Sequence, residues 1–245
     1  MRTLAVLPLL FLPVIAWGDC TEHLQTWAQD LHPTLTFDSN HAVCKINPGN
    51  ATQVLAALPF ASDLDENGDG EYGLDVLVAD GETGKIIAHF YQEAAISSDA
   101  IRFSSLQLDT ARYQLTPKLR AFGVRITHEG SSRPNPYGRE ILNLYVQDGS
   151  QLRRVMSNLV VDKSYGEWDT RCAGEFNDTQ RTLAVGNPGK QGFASLRVTE
   201  KSIDRKSISK PDDDCEEVEG TPKTVTFTLE YDGVQYRVPE GLAGW

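Results

Sequence analysis

Between Asp63 and Asp75 the chain reads Asp-Leu-Asp-Glu-Asn-Gly-Asp-Gly-Glu-Tyr-Gly-Leu-Asp. Oxygen-bearing side chains recur at every second position through Asp63, Asp65, Asn67, Asp69 and Glu71, and glycines let the backbone bend between them. A hard Ca²⁺ ion asks for that donor type in that kind of loop. Six carboxylates within thirteen residues repel one another unless something screens or bridges them. The plainer reading is an acidic turn before a strand, rich in Gly and Asn for turn geometry.

A second place for chemistry is Glu167-Trp168-Asp169. On a strand, residues two apart share a face. Both carboxylates would then flank one site, with Tyr165 and Trp168 beside them to stack on a sugar. Glycosidases work with two carboxylates. The competing reading is a turn opened by Gly166 around a buried Trp168. Other catalytic templates fail. No Gly-x-Ser-x-Gly, His-Glu-x-x-His or Walker-type loop occurs. Ser207-Ile208-Ser209-Lys210 matches Ser-x-x-Lys without its partner motifs. The five histidines, His23, His32, His41, His89 and His128, are scattered and their spacing assembles no triad. Each reads as a surface or capping residue.

The acidic stretch resembles the calcium loops of EF-hands, dockerins and FG-GAP-type β-propeller repeats. The resemblance implies side-chain ligands at Asp63, Asp65, Asn67 and Asp69, and the Glu71 carbonyl as a backbone ligand. An EF-hand closes with a bidentate Glu at its twelfth position, where this chain has Leu74. Asp75 follows and would substitute only in a modified loop. The run Leu74-Asp75-Val76-Leu77-Val78 looks more like an FG-GAP strand than an EF-hand helix, and Glu66-Asn67 lengthens that loop. A bound Ca²⁺ would then be structural. Three further segments, Ala121–Arg125, Asn135–Gly138 and Gly166–Gly174, resemble uncharacterised exported proteins of Gram-negative bacteria. That resemblance implies the periplasm or the outside and no known activity.

The start of the chain agrees with export. Residues 1–18 read as a signal peptide, with Arg2, an apolar run from Leu4 to Ile15, and small residues at Ala16 and Gly18. The apolar run is too short to span a bilayer, which takes about 20 apolar residues, so no membrane span is expected in the mature chain. Asp19 before Cys20 speaks against a lipoprotein. All four cysteines, Cys20, Cys44, Cys172 and Cys215, lie in the mature part, and an even count in an exported chain favours two disulfides. Three pairings are possible. Cys20–Cys44 and Cys172–Cys215 join sequence neighbours and are preferred. The absence of a Cys-x-x-Cys pair speaks against zinc.

These residues must be positioned by a mostly β scaffold. Glu22–Leu31 predicts one short helix, capped by Thr21 and stopped by His32-Pro33, with Leu24, Trp27, Ala28 and Leu31 on one face. After it, alternation dominates. Leu74–Phe90 predicts a hairpin turning at Asp80–Gly84, and Ile141–Val161 another turning at Asp148-Gly149. Ile101–Leu115, Ala121–Thr127, Leu183–Val185 and Phe193–Val198 add strands. Thr224–Tyr231 and Val234–Val238 predict a final hairpin around Asp232-Gly233, pairing Tyr231 with Val234, Leu229 with Tyr236 and Phe227 with Val238. Residues 197–222 carry a basic block and then an acidic one, and read as a polar loop stapled by Cys215. The expected fold class is all-β, a β-sandwich, open barrel or small propeller-like array, with one short N-terminal helix. Residues 19–245 would form a single domain.

Charge bounds the function. The 245 residues carry 23 Lys and Arg against 34 Asp and Glu, a formal charge of −11. Loss of Arg2 with the signal leaves 22 against 34, or −12. Nucleic-acid binding needs a basic footprint and is excluded as an expectation. An acidic exported chain suits a cationic partner. The expectation is a non-enzymatic binding or accessory protein, periplasmic or secreted, that binds a basic envelope or secreted protein as an inhibitor or immunity protein would. The alternative is a hydrolase acting on glycan or peptide through Glu167 and Asp169.

Overall fold

The computed structural model describes residues 20–62, 64–66, 68–189, 191–211 and 214–244. The expected signal peptide, 1–18, lies outside these, as do Asp63, Asn67, Asp212 and Asp213. Two antiparallel sheets carry the fold. The smaller holds β1 (Thr36–Phe37), β2 (Val43–Ile46), β3 (Gln53–Ser62), β4 (Gly70–Asp80) and β5 (Ile86–Ser98). The larger runs as a meander through β6 (Ile101–Thr116), β7 (Leu119–Gly130), β8 (Tyr137–Asp148), β9 (Gln151–Trp168), β10 (Gly174–Pro188), β11 (Ala194–Ser209) and β12 (Cys215–Glu219). β13 (Lys223–Leu229) returns to pair with β11. The chain is all-β as expected, and the sheets do not close into a barrel.

Alternation explains the layers. On β4, Leu74, Val76 and Val78 point toward the larger sheet, where they meet Leu106, Leu108, Val124 and Ile126. Leu77 and Ala79 point the other way, under a helix, α1 (Leu24–Leu31). β4 is therefore buried on both faces, and its near-continuous apolar sequence follows from that. The larger sheet encloses a separate core on its far face, built from Leu142, Leu144, Met156, Leu159, Leu196, Val198 and the returning Tyr236.

The helix begins later than expected. Cys20–His23 form a 3₁₀ turn, α1 starts at Leu24, and His23 stands at the N-cap without a side-chain cap bond. Thr21 is not the cap. The buried stripe Leu24, Trp27 and Ala28 is as expected. Trp27 Nε1 donates to the Gly84 carbonyl at 2.6 Å, which docks the helix on the β4–β5 turn.

Both disulfides form in the preferred pairing. Cys20–Cys44 ties the first turn to β2, and Cys172–Cys215 joins the β9–β10 turn to β12. Two disulfides fit an oxidising, extracytoplasmic environment. No described helix is long and apolar enough to cross a membrane.

The hairpins at Asp80–Lys85 and Asp148–Gln151 form, the second with Gly149-Ser150 in its turn, one position later than expected. The final hairpin does not form as expected. Phe227 faces Val198 and Leu229 faces Leu196, both on β11, and Tyr231 bridges Tyr236. The Asp232 side chain accepts from the Val234 and Gln235 N–H groups, which makes the turn four residues long. Tyr236 is then carried into the second core, where its N–H donates to Val155 O and its hydroxyl to Ala194 O. β11 has the same alternation as the expected partner and offers a full ladder, so it wins the pairing.

Residues 197–222 are also not a loop. They form most of β11, all of β12 and the connection toward β13. β10 and β12 have no buried residue. The polar side chains of β10 are satisfied across to β11 instead, by Arg205 with Asp178, Arg181 with Glu200 and Lys206 with Glu175, and in β12 Glu216 pairs with Lys210. A ladder of this kind needs no apolar face.

Candidate functional site

The acidic stretch is divided by the fold. Asp63 and Asn67 lie outside the described residues. Asp65 Oδ1 accepts the Asp69 N–H at 2.9 Å, and Asp65 N donates to Asp69 O, so these two close a turn ahead of β4. Glu71 lies within β4, opposite Ser62 and Ser97. Asp75 leaves the expected ligand set altogether. It sits deep in β4, fully buried, with its carboxylate toward two histidines. Strand pleating decides this, because it turns Asp75 to the face that carries Leu77 and Ala79 beneath α1. Among the described residues no group of three or more His, Cys, Asp or Glu is placed to hold a metal ion.

The carboxylate pair is also separated. β9 ends at Trp168, so the two-residue rule no longer holds at Asp169. Asp169 Oδ1 accepts the N–H groups of Arg171 and Cys172, each at 2.8 Å. The Arg171 N–H, with that of Cys172, holds its carboxyl below the usual carboxylate range. Asp169 is the cap of a turn. Glu167 is exposed and faces Glu175 across the ladder, in a groove with Tyr165 and Lys206. Trp168 belongs to a different cleft, with Arg133, Arg171 and Glu217. The groove that Glu167 lines does not include Asp169.

The structure builds a cluster that the histidine spacing hides. Asp75 Oδ2 lies 2.8 Å from His32 Nε2 and 3.1 Å from His89 Nδ1. Both ring nitrogens stand within hydrogen-bond distance of the same carboxylate oxygen, which accepts from a ring nitrogen that carries its proton. The His32 ring lies between Phe60 and Tyr91, at 4.8 and 4.2 Å. Tyr91 in turn lies over Gly73, where any Cβ would stand 2.3 Å from its hydroxyl. Burial, then Glu93 and Asp75, push the Tyr91 hydroxyl above its ordinary pKa. A carboxylate that orients an imidazole is one half of a general-base device. Among the described residues no hydroxyl or thiol bonds either ring, and the cluster serves as a clamp joining the end of α1 to β4 and β5. One signal for it was present in the sequence. An acid inside Leu74-Asp75-Val76-Leu77-Val78 interrupts an apolar run, and a carboxylate buried that way demands partners.

The remaining feature is the edge of the larger sheet. All five residues of β12 are exposed, and β12 pairs with β11 on one side only. Lys210 N donates to Asp214 O and Gly220 N to Asp204 O, one at each end of β12. In an antiparallel ladder these bonds recur every second residue. Glu216 and Val218 therefore turn their main-chain groups to β11, and Glu217 and Glu219 turn theirs outward. Four nearby cations are engaged elsewhere, while Arg133 and Arg171 line the same cleft as Glu217 without an ion pair among the described residues. Arg205 binds Asp178, Lys206 binds Glu175, Lys210 binds Glu216 and Lys223 binds Asp204. Among the described residues neither Glu217 nor Glu219 forms an ion pair, and both lie beside an open backbone edge.

No protein-family model matches the chain, and neither a curated protein nor a solved structure matches it.

Proposed function

We propose that this is an extracytoplasmic binding protein, periplasmic or secreted and without a catalytic role, whose β12 edge receives an extended basic segment of a partner protein. The observation that carries this reading is the coincidence at Glu217 and Glu219 of outward main-chain groups and unpaired carboxylates. Edge strands accept added strands through their free N–H and C=O groups. Charge selects which strand is accepted and speeds its approach. The Cys172–Cys215 disulfide holds β12 in place as a template.

The test is titration calorimetry with an extended peptide alternating Lys and Val. Wild type binds it at low salt and more weakly at high salt. Glu217→Pro removes an outward N–H and leaves the bonds to β11, so the fold survives and binding is lost. Exchange of both Glu217 and Glu219 for Gln weakens binding and flattens its salt dependence. Unchanged affinity in a folded Glu217→Pro variant would overturn the reading.

A further inference from the structure

At one end of the sandwich, the β2–β3 turn, the middle of β6 and the start of β7 enclose a cleft of about 670 Å³. That volume lies within the range of small-molecule sites, roughly 300–1,000 Å³. Its charge runs against the rest of the chain. Arg112, Lys118 and Arg120 line it, and no carboxylate does. None of the ion pairs among the described residues uses these three cations.

The cleft is built, not incidental. On β6, Asp109 faces Gly123 and Tyr113 faces Ala121, so Thr110–Arg112 bulge opposite Phe122. A bulge of this kind re-aims side chains at a strand edge. Asp109 fixes it. One of its oxygens accepts the Ala111 N–H, and the other accepts from Arg125 and the Tyr113 hydroxyl. Burial raises the Asp109 carboxyl, but these donors together hold it below its ordinary range. Asp109, at the base of the bulge, is thus paired with Arg125. Arg120 is held by a bond from its guanidinium to Thr110 O at 2.8 Å. Gly49 lets the β2–β3 turn close over it, since a Cβ there would lie 3.3 Å from Arg120 Cδ.

Side-chain amides supply the rest of the wall. Asn50 uses its oxygen on Thr52, and Gln53 uses its oxygen on Asn47, so both keep free NH₂ groups. Gln114 and Gln147 spend their NH₂ groups on Thr116 O and Gly149 O and keep free carbonyls. Neutral donors and acceptors in one wall match hydroxyl groups, which both give and take hydrogen bonds. An arginine fork matches a carboxylate or phosphate.

We infer that this cleft binds an acidic saccharide, with Arg112, Lys118 and Arg120 on its anionic group and the amides on its hydroxyls. The site is separate from the β12 edge and does not depend on the reading given for it.

The test uses the mature chain and titration calorimetry with trigalacturonate, glucose 6-phosphate, neutral maltotriose and inorganic phosphate. At least one of the two acidic sugars binds at least tenfold more tightly than maltotriose and than phosphate alone, and which one distinguishes carboxylate from phosphate recognition. The exposed pair Arg112→Glu and Lys118→Glu weakens that binding at least tenfold with an unchanged thermal midpoint. Gln53→Ala weakens it for the sugar and not for inorganic phosphate. Failure of both acidic sugars to bind, equal binding of maltotriose, or full affinity in the double variant would each overturn the inference. Glu217→Pro leaves this binding unchanged, so the two sites fail separately.

Discussion

His32 Nε2 and Asp75 Oδ2 meet at 2.8 Å across 43 positions of sequence, with the carboxylate fully buried. The contact joins the end of α1 to the centre of β4. Removing one member of a buried pair costs more than replacing the charge with an apolar group. His32→Phe would fill the gap between Phe60 and Tyr91 and leave Asp75 with His89 alone. Its expected cost is about 3 kcal/mol in urea unfolding. Asp75→Leu removes the buried charge itself, and the imidazoles it strands reach water. It should cost about 1 kcal/mol or less. The reverse order of the two variants would show that the clamp is not electrostatic.

His128 sets a limit at low pH. Its Nε2 lies 3.1 Å from Ser97 O, and its Nδ1 is buried without a partner among the described residues. Burial, then the charge of Arg139, push its pKa down to about 4. The unfolded imidazole titrates near its ordinary value of about 6.5. Between these values the unfolded chain binds a proton that the folded chain refuses, so stability rises with pH across the window. The stability present at pH 7 is lost as pH falls from 6.5 toward 4, by about 3 kcal/mol from this one group. His128→Gln keeps a donor for Ser97 and removes the titration. Urea midpoints for this variant should stay nearly flat from pH 6.5 to 4.5 while those of wild type fall. Parallel decline of both would remove His128 as the cause.

These residues also mark what could be seen in the sequence. The β4–β5 and β8–β9 hairpins were legible because their alternation and turn glycines are local, and local pattern suffices when one strand has one obvious partner. At Phe227 and Leu229 the alternation was seen correctly and the partner was not. Val198 and Leu196 repeat the same pattern thirty residues earlier, and periodicity cannot rank two matching strands. Of β10 to β12 only Leu183–Val185 and Phe193–Val198 were legible, and the rest was missed for a different reason. Their strands are held by cross-strand charge pairs such as Arg205 with Asp178, and no apolar period records those. At the site level, the spacing that grouped Asp75 with the acidic turn measured distance along the chain. The pleat that turns it toward His32 and His89 is a property of the sheet.

Gly84 tests the docking of α1 in isolation. Its φ is +69°, and a Cβ there would lie 2.7 Å from His23 Nδ1. Gly149 has a similar φ of +62° with nothing within 4 Å. Gly149→Ala should therefore cost only the left-handed backbone penalty, about 1 kcal/mol. Gly84→Ala carries the same penalty and must also push His23 away beside the Trp27 bond. It should cost measurably more, and quenching of the Trp27 fluorescence should change only in that variant. Equal costs would mean that the helix end yields freely.

The two disulfides should fail in different ways. In the chain-entropy account, closing 24 or 43 residues is worth about 3 and about 4 kcal/mol. That account alone makes Cys172–Cys215 the more important link. Structure argues for a different distribution of the loss. Cys20 and Cys44 pack against the buried cluster of Trp27 and Phe60, so removing this link loosens α1 from the smaller sheet. Cys215 opens β12, in which no residue is buried, and β12 has little else to hold it. Exchange of Cys172 and Cys215 for Ser should free the β12 amides to hydrogen exchange near the rate of an open chain, with β8 and β9 still protected. Exchange of Cys20 and Cys44 for Ser should lower the global midpoint and leave β12 protection intact. If the Cys172 and Cys215 variant instead loses protection evenly through β8 and β9, the outer strands and the core are one cooperative unit, and β12 is no separate template.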